Sequence, residues 1–285
     1  MADFYDIKEE LSAADSCLCF LTPGSEVLEI GSATGYATRY MTEKLKCTVS
    51  CIEKSPAMAE VGKHFAKKMI VADLESDNWE NDLGDARFDY IMFADVLEHL
   101  HNPAEVLRRT KPFLKSDGYM LSSIPNIGHS SIILGLRNGI FDYRDKGLLD
   151  NTHIHFMTRK TIDTIFNTNG LYCVAEENKM ARPCDTEFEY FYCHNPLLAL
   201  SLISKRDAHV YRYVQQWSAN ENEKRIVNQG HQLNIFARFY ELFYDLICFI
   251  RRRSGIKTPS FIAGIFHHPA EKMEKKKYEK YQSKD

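Results

Sequence analysis

The sequence predicts an α/β protein built on a mostly parallel sheet with helices on both faces, and three observations carry that expectation. From Glu26 to about Ser218, short runs of β-branched and aromatic residues alternate with amphipathic stretches, the pattern of strands returned by helices. The first run, VLEI, opens through Gly31 and Gly35 straight into a helical stretch. Three acids, Glu29, Glu53 and Asp73, stand at the ends of three successive runs. Loops at the carboxyl edge of such a sheet gather a ligand.

The strands are expected at 26–30, 47–53, 68–72, 88–94, 119–125, 171–178 and 208–219, seven in all. Helices are expected over YATRYMTEKL after the glycine turn and over PAEVLRRTKPFL, where Pro103 takes a first-turn position and Gly118 the turn that follows. A further helical insert, NPLLALSLIS, separates the last two strands. This divides the chain into a lead-in over 1–22, a ligand-binding domain over 23–219 and a helical, basic extension over 220–285.

With 285 residues, 44% of them hydrophobic, the chain can bury a large core. It lacks an apolar run of about 18 residues, and MADFYDIKEE lacks the basic-then-apolar layout of a secretory signal, so a cytoplasmic address is expected. The eight cysteines form no CxxC pair and read as reduced, mostly buried thiols. The net charge of −3 is unevenly spread: from Arg251 to Asp285 ten Lys/Arg face four Asp/Glu. An acidic body with a basic tail and no RNA-binding motif disfavours nucleic acid as a partner.

A glycine turn between strand and helix brings backbone N–H groups and a positive helix end to a ligand, with no Cβ in the way. A dinucleotide fingerprint would read G-x-G-x-x-G. Here the turn is Gly31-Ser32-Ala33-Thr34-Gly35, with Glu29 two residues before it. A carboxylate there repels a pyrophosphate and suits an ammonium or sulfonium group. Glu53, at the end of the second strand, can accept both hydroxyls of a ribose, and Asp73 can reach an adenine amino group.

The segments EIGSATGYATRYM, CIEKSP, VADLE and FDYIMFADVLEHLHNPAEVLRRTKPFLKSDGYMLSSIPN together resemble class I S-adenosylmethionine-dependent methyltransferases over about residues 24–218. That resemblance implies a Rossmann-like seven-stranded sheet and S-adenosylmethionine as cofactor. It places Glu29, Gly31, Ser32, Ala33 and Gly35 at the methionine end, Glu53 at the ribose, Asp73 and Leu74 beside the adenine, and Ala94 and Asp95 along the other side. Ala33 departs from the family, which most often has glycine there.

Residues 126–158 are too long and too patterned for a plain connector. They resemble a subgroup of these enzymes found with glycan and cell-envelope biosynthesis, through Pro125, Asn126 and His129, then Phe141, Asp142 and Tyr143, then Leu148, Leu149, Asp150, Thr152 and His153. The resemblance implies O-methylation of a glycan or lipid-linked sugar. A quinone-pathway-like small-molecule O-methyltransferase and a non-catalytic partner of a glycosyltransferase are the alternatives.

A hydroxyl acceptor must lose its proton, and histidine is the natural base near neutral pH. His153 and His129 are the candidates, with Asp150 orienting the imidazole. His155, alternating with His153, faces the other way and is structural. Asp95, Glu98 and His99 have the spacing of one helical face, which could bind a divalent cation, but no metal is expected and His99 is assigned to the floor of the site.

In the extension, Phe236, Phe239, Tyr240, Phe243, Leu246, Ile247 and Ile250 share one helical face, followed by Arg251, Arg252 and Arg253. That face is expected to pack on the body or on a second copy, or else to lie peripherally in a membrane interface through 233–253.

Overall fold

The computed structural model of the chain describes residues 16–203, 205, 207–223 and 235–254. The first 15 residues of the expected lead-in, the polar link over 224–234 and the lysine-rich end over 255–285 lie outside the described residues.

The strands are β1 (Glu26–Ile30), β2 (Thr48–Glu53), β3 (Lys68–Val71), β4 (Phe88–Ala94), β5 (Leu114–Pro125), β6 (Tyr172–Glu176), β7 (Lys179–Met180) and β8 (Val210–Ser218). They form one sheet in the order β3-β2-β1-β4-β5-β8-β6, with β7 paired to β8 off that path. The five strands from β3 to β5 run parallel. β8 enters between β5 and β6 and is antiparallel to both. The order reverses after β1, and β1 and β4 flank the crevice where an open sheet of this kind takes its ligand.

Two details differ from the sequence expectation. The two-residue β7 adds an eighth strand; it is too short to carry an alternation that could be read. Gly118 lies inside β5, not in a turn. A Cβ there would meet the Asp89 carbonyl oxygen at 2.9 Å, beside the irregularity in the β4–β5 register, so the glycine serves a close backbone approach.

Alternation along the strands builds a core on each face. Leu28, Ile30, Ile52, Ile91, Phe93 and Met120 point to one side, and Val27, Val49, Cys51, Met92 and Leu121 to the other. Burial on both faces explains why these strands read as near-continuous apolar runs. On the first side Phe166, from the helix Arg159–Thr168, stacks on Trp217 of β8 with ring centroids 4.0 Å apart. The Trp217 indole N–H donates to Ser122 Oγ of β5 at 2.9 Å, so the buried ring keeps its polar atom satisfied. The eight cysteines are free thiols, four of them buried.

The C-terminal helix Ile235–Ser254 docks on the body and leaves much of its apolar stripe outside. It meets the body with its polar edge: Glu241 pairs with Arg182 at 3.3 Å, and Asp245 accepts from the Cys193 N–H at 2.8 Å. Arg182 also lies 3.8 Å from the centre of the Tyr244 ring. Phe239, Phe243 and Ile250 are 59%, 56% and 51% exposed, so the apolar stripe faces outward in the single chain. Phe236 lies among residues whose side chains are outside the described set. No helix of the described residues is long and apolar enough to cross a membrane.

Candidate active site

The glycine turn follows β1 and leads into the helix Tyr36–Glu43. Gly31 and Gly35 hold φ of +69° and +79°, in the left-handed region that favours glycine. At Gly35 the requirement is doubled, because a Cβ would stand 2.7 Å from the Cα of Gly62, on the helix Pro56–Gly62. Ala33 also has a positive φ, +46°, at some cost in strain. Its N–H donates to Glu53 Oε2 at 2.8 Å.

Glu53 thus ties the turn to the end of β2. Its other oxygen accepts from the Ser55 N–H at 2.8 Å. Two backbone donors use two of the four acceptor positions of a carboxylate, leaving two for the paired hydroxyls of a ribose. Glu29 is buried and accepts from Thr38 Oγ1 at 2.6 Å. Burial pushes its pKa up to about 7, against the opposing hydrogen bonds from Thr38 and Cys51. A buried acid in that state gains its charge readily when a cationic ligand arrives.

Asp73 pairs with Lys54 at 2.8 Å and accepts from the Glu75 N–H at 2.9 Å. The Lys54 bond, first, and the backbone N–H groups lower its pKa. The Leu74 side chain is part of the core, and its carbonyl accepts from Trp79 Nε1 and Arg109 Nη1. Ala94 ends β4 beside Asp95, which holds φ of +53°. The Asp95 carboxylate is taken up by Arg212 at 2.8 Å and Ser123 Oγ at 3.0 Å. Ser32 is buried with its hydroxyl toward Met69.

The segment after β5 separates the two histidine candidates. His129 is fully buried and caps the helix Ser130–Arg137, its Nδ1 accepting from the Ser131 N–H at 3.2 Å. Its Nε2 donates to the Ala181 carbonyl at 2.9 Å. Burial lowers its pKa to about 4. With both nitrogens engaged and no exposed surface, it has nothing to offer an acceptor; it is a structural residue, contrary to expectation.

His153 is half-buried and lies edge-on to His99, ring centroids 4.9 Å apart. Burial first, then the charge of His99, lower its pKa, so the imidazole is neutral and able to take a proton near pH 7. Asp150 does not hold the ring. Its Oδ1 accepts from the Thr152 N–H and hydroxyl at 2.7 and 2.5 Å; its carbonyl accepts from the His153 N–H at 3.1 Å, and its carboxylate acts on the imidazole only through its charge. His155 binds the His101 carbonyl at 3.1 Å, a structural contact as expected. Phe141, Tyr143 and Phe156 form a connected set of rings 5.6 to 6.0 Å apart, and Phe156 lies 6.2 Å from His153.

Glu98 and His99 sit on a single 3-10 turn, Leu97–His99, with Asp95 outside it. The shared helical face expected of the three therefore does not form. Instead the chain brings Glu98, His99 and His153 together.

A family model described as "Methyltransferase domain" matches residues 5–176, more than half of the chain. The chain belongs to this methyltransferase-domain family. The left-handed glycines, the spare capacity of Glu53 and the buried Glu29 fit S-adenosylmethionine as the cofactor of such a domain. Two Fusarin C synthetases, from Gibberella fujikuroi and Gibberella moniliformis, are 32% and 33% identical over 108 residues, 35% of this chain. The chain spans about 3% of the length of these curated relatives. An S-adenosylmethionine-dependent methyltransferase from Archaeoglobus fulgidus shares the fold with a TM-score of 0.51 at 15% identity, over 74% of this chain and 94% of that one. Another, from Thermotoga maritima, has a TM-score of 0.50 at 16% identity, over 74% and 89%.

Sequence reasoning passed over Thr38, Gly62 and Arg212. Gly62 carried a signal, a glycine within a helical stretch. So did Arg212, a lone charge in an apolar strand. Thr38 carried none, because its partner Glu29 is nine residues away.

Proposed function

We propose that the chain is an O-methyltransferase acting on a hydroxyl of a glycan or lipid-linked sugar, at a site between the glycine turn and the segment 126–158. The observation that carries this reading is the set of rings Phe141, Tyr143 and Phe156 leading to His153, with Tyr143 59% exposed. A sugar ring has an apolar C–H face that lies well on aromatic rings, and its rim of hydroxyls then reaches the polar end of the cleft. The resemblance of this segment to glycan-associated methyltransferases supports the same assignment.

Bound S-adenosylmethionine supplies an electrophilic methyl group on a sulfonium. Glu29 and the turn from Gly31 to Gly35 hold the methionine end, Glu53 the ribose, and Asp73 the adenine amino group, with Ala94 and Asp95 on the far side. These residues fix the donor so that the acceptor oxygen meets the methyl carbon in line, a gain from positioning. The proton of the acceptor hydroxyl goes to the neutral His153.

The outward stripe Phe239, Leu246 and Ile250, ending in Arg251, Arg252 and Arg253, supports a peripheral seat on an anionic membrane surface, where a lipid-linked acceptor resides. A second reading, methylation of a small lipophilic molecule, draws on the stretch shared with the Fusarin C synthetases. Transfer of labelled methyl groups into fractionated cell-envelope material tests the choice. Label in a glycan or lipid-linked fraction is expected; label only in a small lipophilic product would transfer the assignment to the second reading.

A further inference from the structure

We infer that Glu98, His99 and His153 form a binding site for a first-row divalent cation, with room left for the acceptor hydroxyl. One ligand atom from each of the three side chains lies within 4.8 Å of the others. Small side-chain rotations bring such atoms to the roughly 2 Å that nitrogen and oxygen ligands take around zinc.

A second observation points to a ligand. Glu98 is 1% exposed, and among the described residues neither of its carboxylate oxygens has a hydrogen-bond partner. A buried carboxylate left without partners is costly and is found paired or bound to metal. Its surroundings do not supply the pairing. Asp95 and Asp150 add negative charge, and Arg212, whose charge opposes theirs at Glu98, pairs with Asp95 at 2.8 Å without hydrogen-bonding to Glu98. The cluster has a surplus of acid that an ion would balance.

His99 is oriented as a ligand should be. Its Nδ1 lies 3.2 Å from the Thr152 carbonyl, which it can meet only as a donor, leaving Nε2 with its lone pair. A ring N–H fixed on a backbone carbonyl is the usual outer support of a metal-bound imidazole. His153 is half-buried with its ring edge-on to that of His99, centroids 4.9 Å apart. Two imidazoles and one carboxylate favour zinc, manganese, iron or cobalt over magnesium or calcium, and three protein ligands leave coordination positions open.

The cation's role rests on the O-methyltransfer reading above; its binding does not. In that role His153 becomes a ligand in place of a base. A cation held there would lower the pKa of an acceptor hydroxyl bound to it, so that the proton could pass to solvent, and His153 would not be needed as the base.

Calorimetry of the full chain with zinc or manganese alone, and the visible spectrum with cobalt, test the site. One equivalent is expected, with a cobalt spectrum of nitrogen and oxygen ligation, and a weakening of about a hundredfold in Glu98→Gln. His99→Asn, at a half-buried position, should lose affinity similarly and covers the case in which Glu98→Gln fails to fold. Absence of uptake by the unaltered chain, or equal affinity in it and both variants, overturns the site. Labelled methyl transfer with and without a chelator separates the two claims. A cation bound with no glycan methylated leaves the site and removes the substrate. Glycan methylated in full by chain that takes up no cation removes the site and leaves the substrate.

Discussion

Glu29 and His129 are both buried titratable residues, and their environments send pH effects in opposite directions. Glu29, raised to about 7, binds a proton in the folded chain that the unfolded chain has released above its ordinary value of 4.5, so it withdraws stability as pH rises between those values. His129, lowered to about 4, stays neutral where the unfolded chain, with the ordinary value of 6.5, takes up a proton; its contribution is full above 6.5 and is lost as pH falls toward 4. His129→Ala should therefore flatten the acid side of the urea midpoint against pH. It should also cost about 1 kcal/mol at pH 7 for the lost cap, with methyl transfer per folded molecule unchanged. At Glu29 the cofactor's positive charge favours the carboxylate. Affinity for S-adenosylhomocysteine, which keeps the ammonium, should rise with pH up to about 7 and release a proton below it. Titration in buffers of different ionisation enthalpy measures that proton; an unchanged apparent enthalpy would mean that Glu29 does not meet the ligand. The acids at the strand ends were readable because their positions follow from local sequence, whereas the isolation of His129 was not. Its partner Ala181 is 52 residues away, and only the folded chain shows that both ring nitrogens are taken.

At the scale of elements, the parallel strands were legible because each is buried on both faces and reads as an apolar run. β7 was not, since two residues hold no period, and Gly118 read as a turn because its neighbour across the register, near Asp89, is distant in sequence. The C-terminal helix shows a subtler limit. Its apolar face was evident, but periodicity does not say which face meets the body. Three polar contacts on the other edge, at Glu241, Asp245 and Arg252, turn the stripe outward. Sedimentation with vesicles of anionic lipid should therefore carry the full chain down and leave a chain lacking residues 232–285 in solution. Each basic residue near the surface adds about 1 kcal/mol, so the binding should weaken steeply as salt is raised. Equal sedimentation of both forms would end the membrane assignment for this helix.

At the scale of the whole molecule, a ligand that binds only the folded chain raises its stability. S-adenosylhomocysteine at a hundred times its dissociation constant adds about 2.7 kcal/mol and should lift the Tm by roughly 5 to 10 °C. NAD should leave the Tm where it is, because the turn Gly31-Ser32-Ala33-Thr34-Gly35 departs from the G-x-G-x-x-G spacing and has an acid, Glu29, two residues before it. A rise with NAD and none with S-adenosylhomocysteine would reverse the reading of the turn.

β8, made late in the chain, is threaded into the middle of the sheet between β5 and β6, while the family match stops at residue 176. The homologous stretch therefore ends before β8, the strand that pairs with β5. On the ribosome, β5 must wait with a bare hydrogen-bonding edge until residue 218 has emerged, an interval in which a chaperone or a neighbouring nascent chain could occupy it.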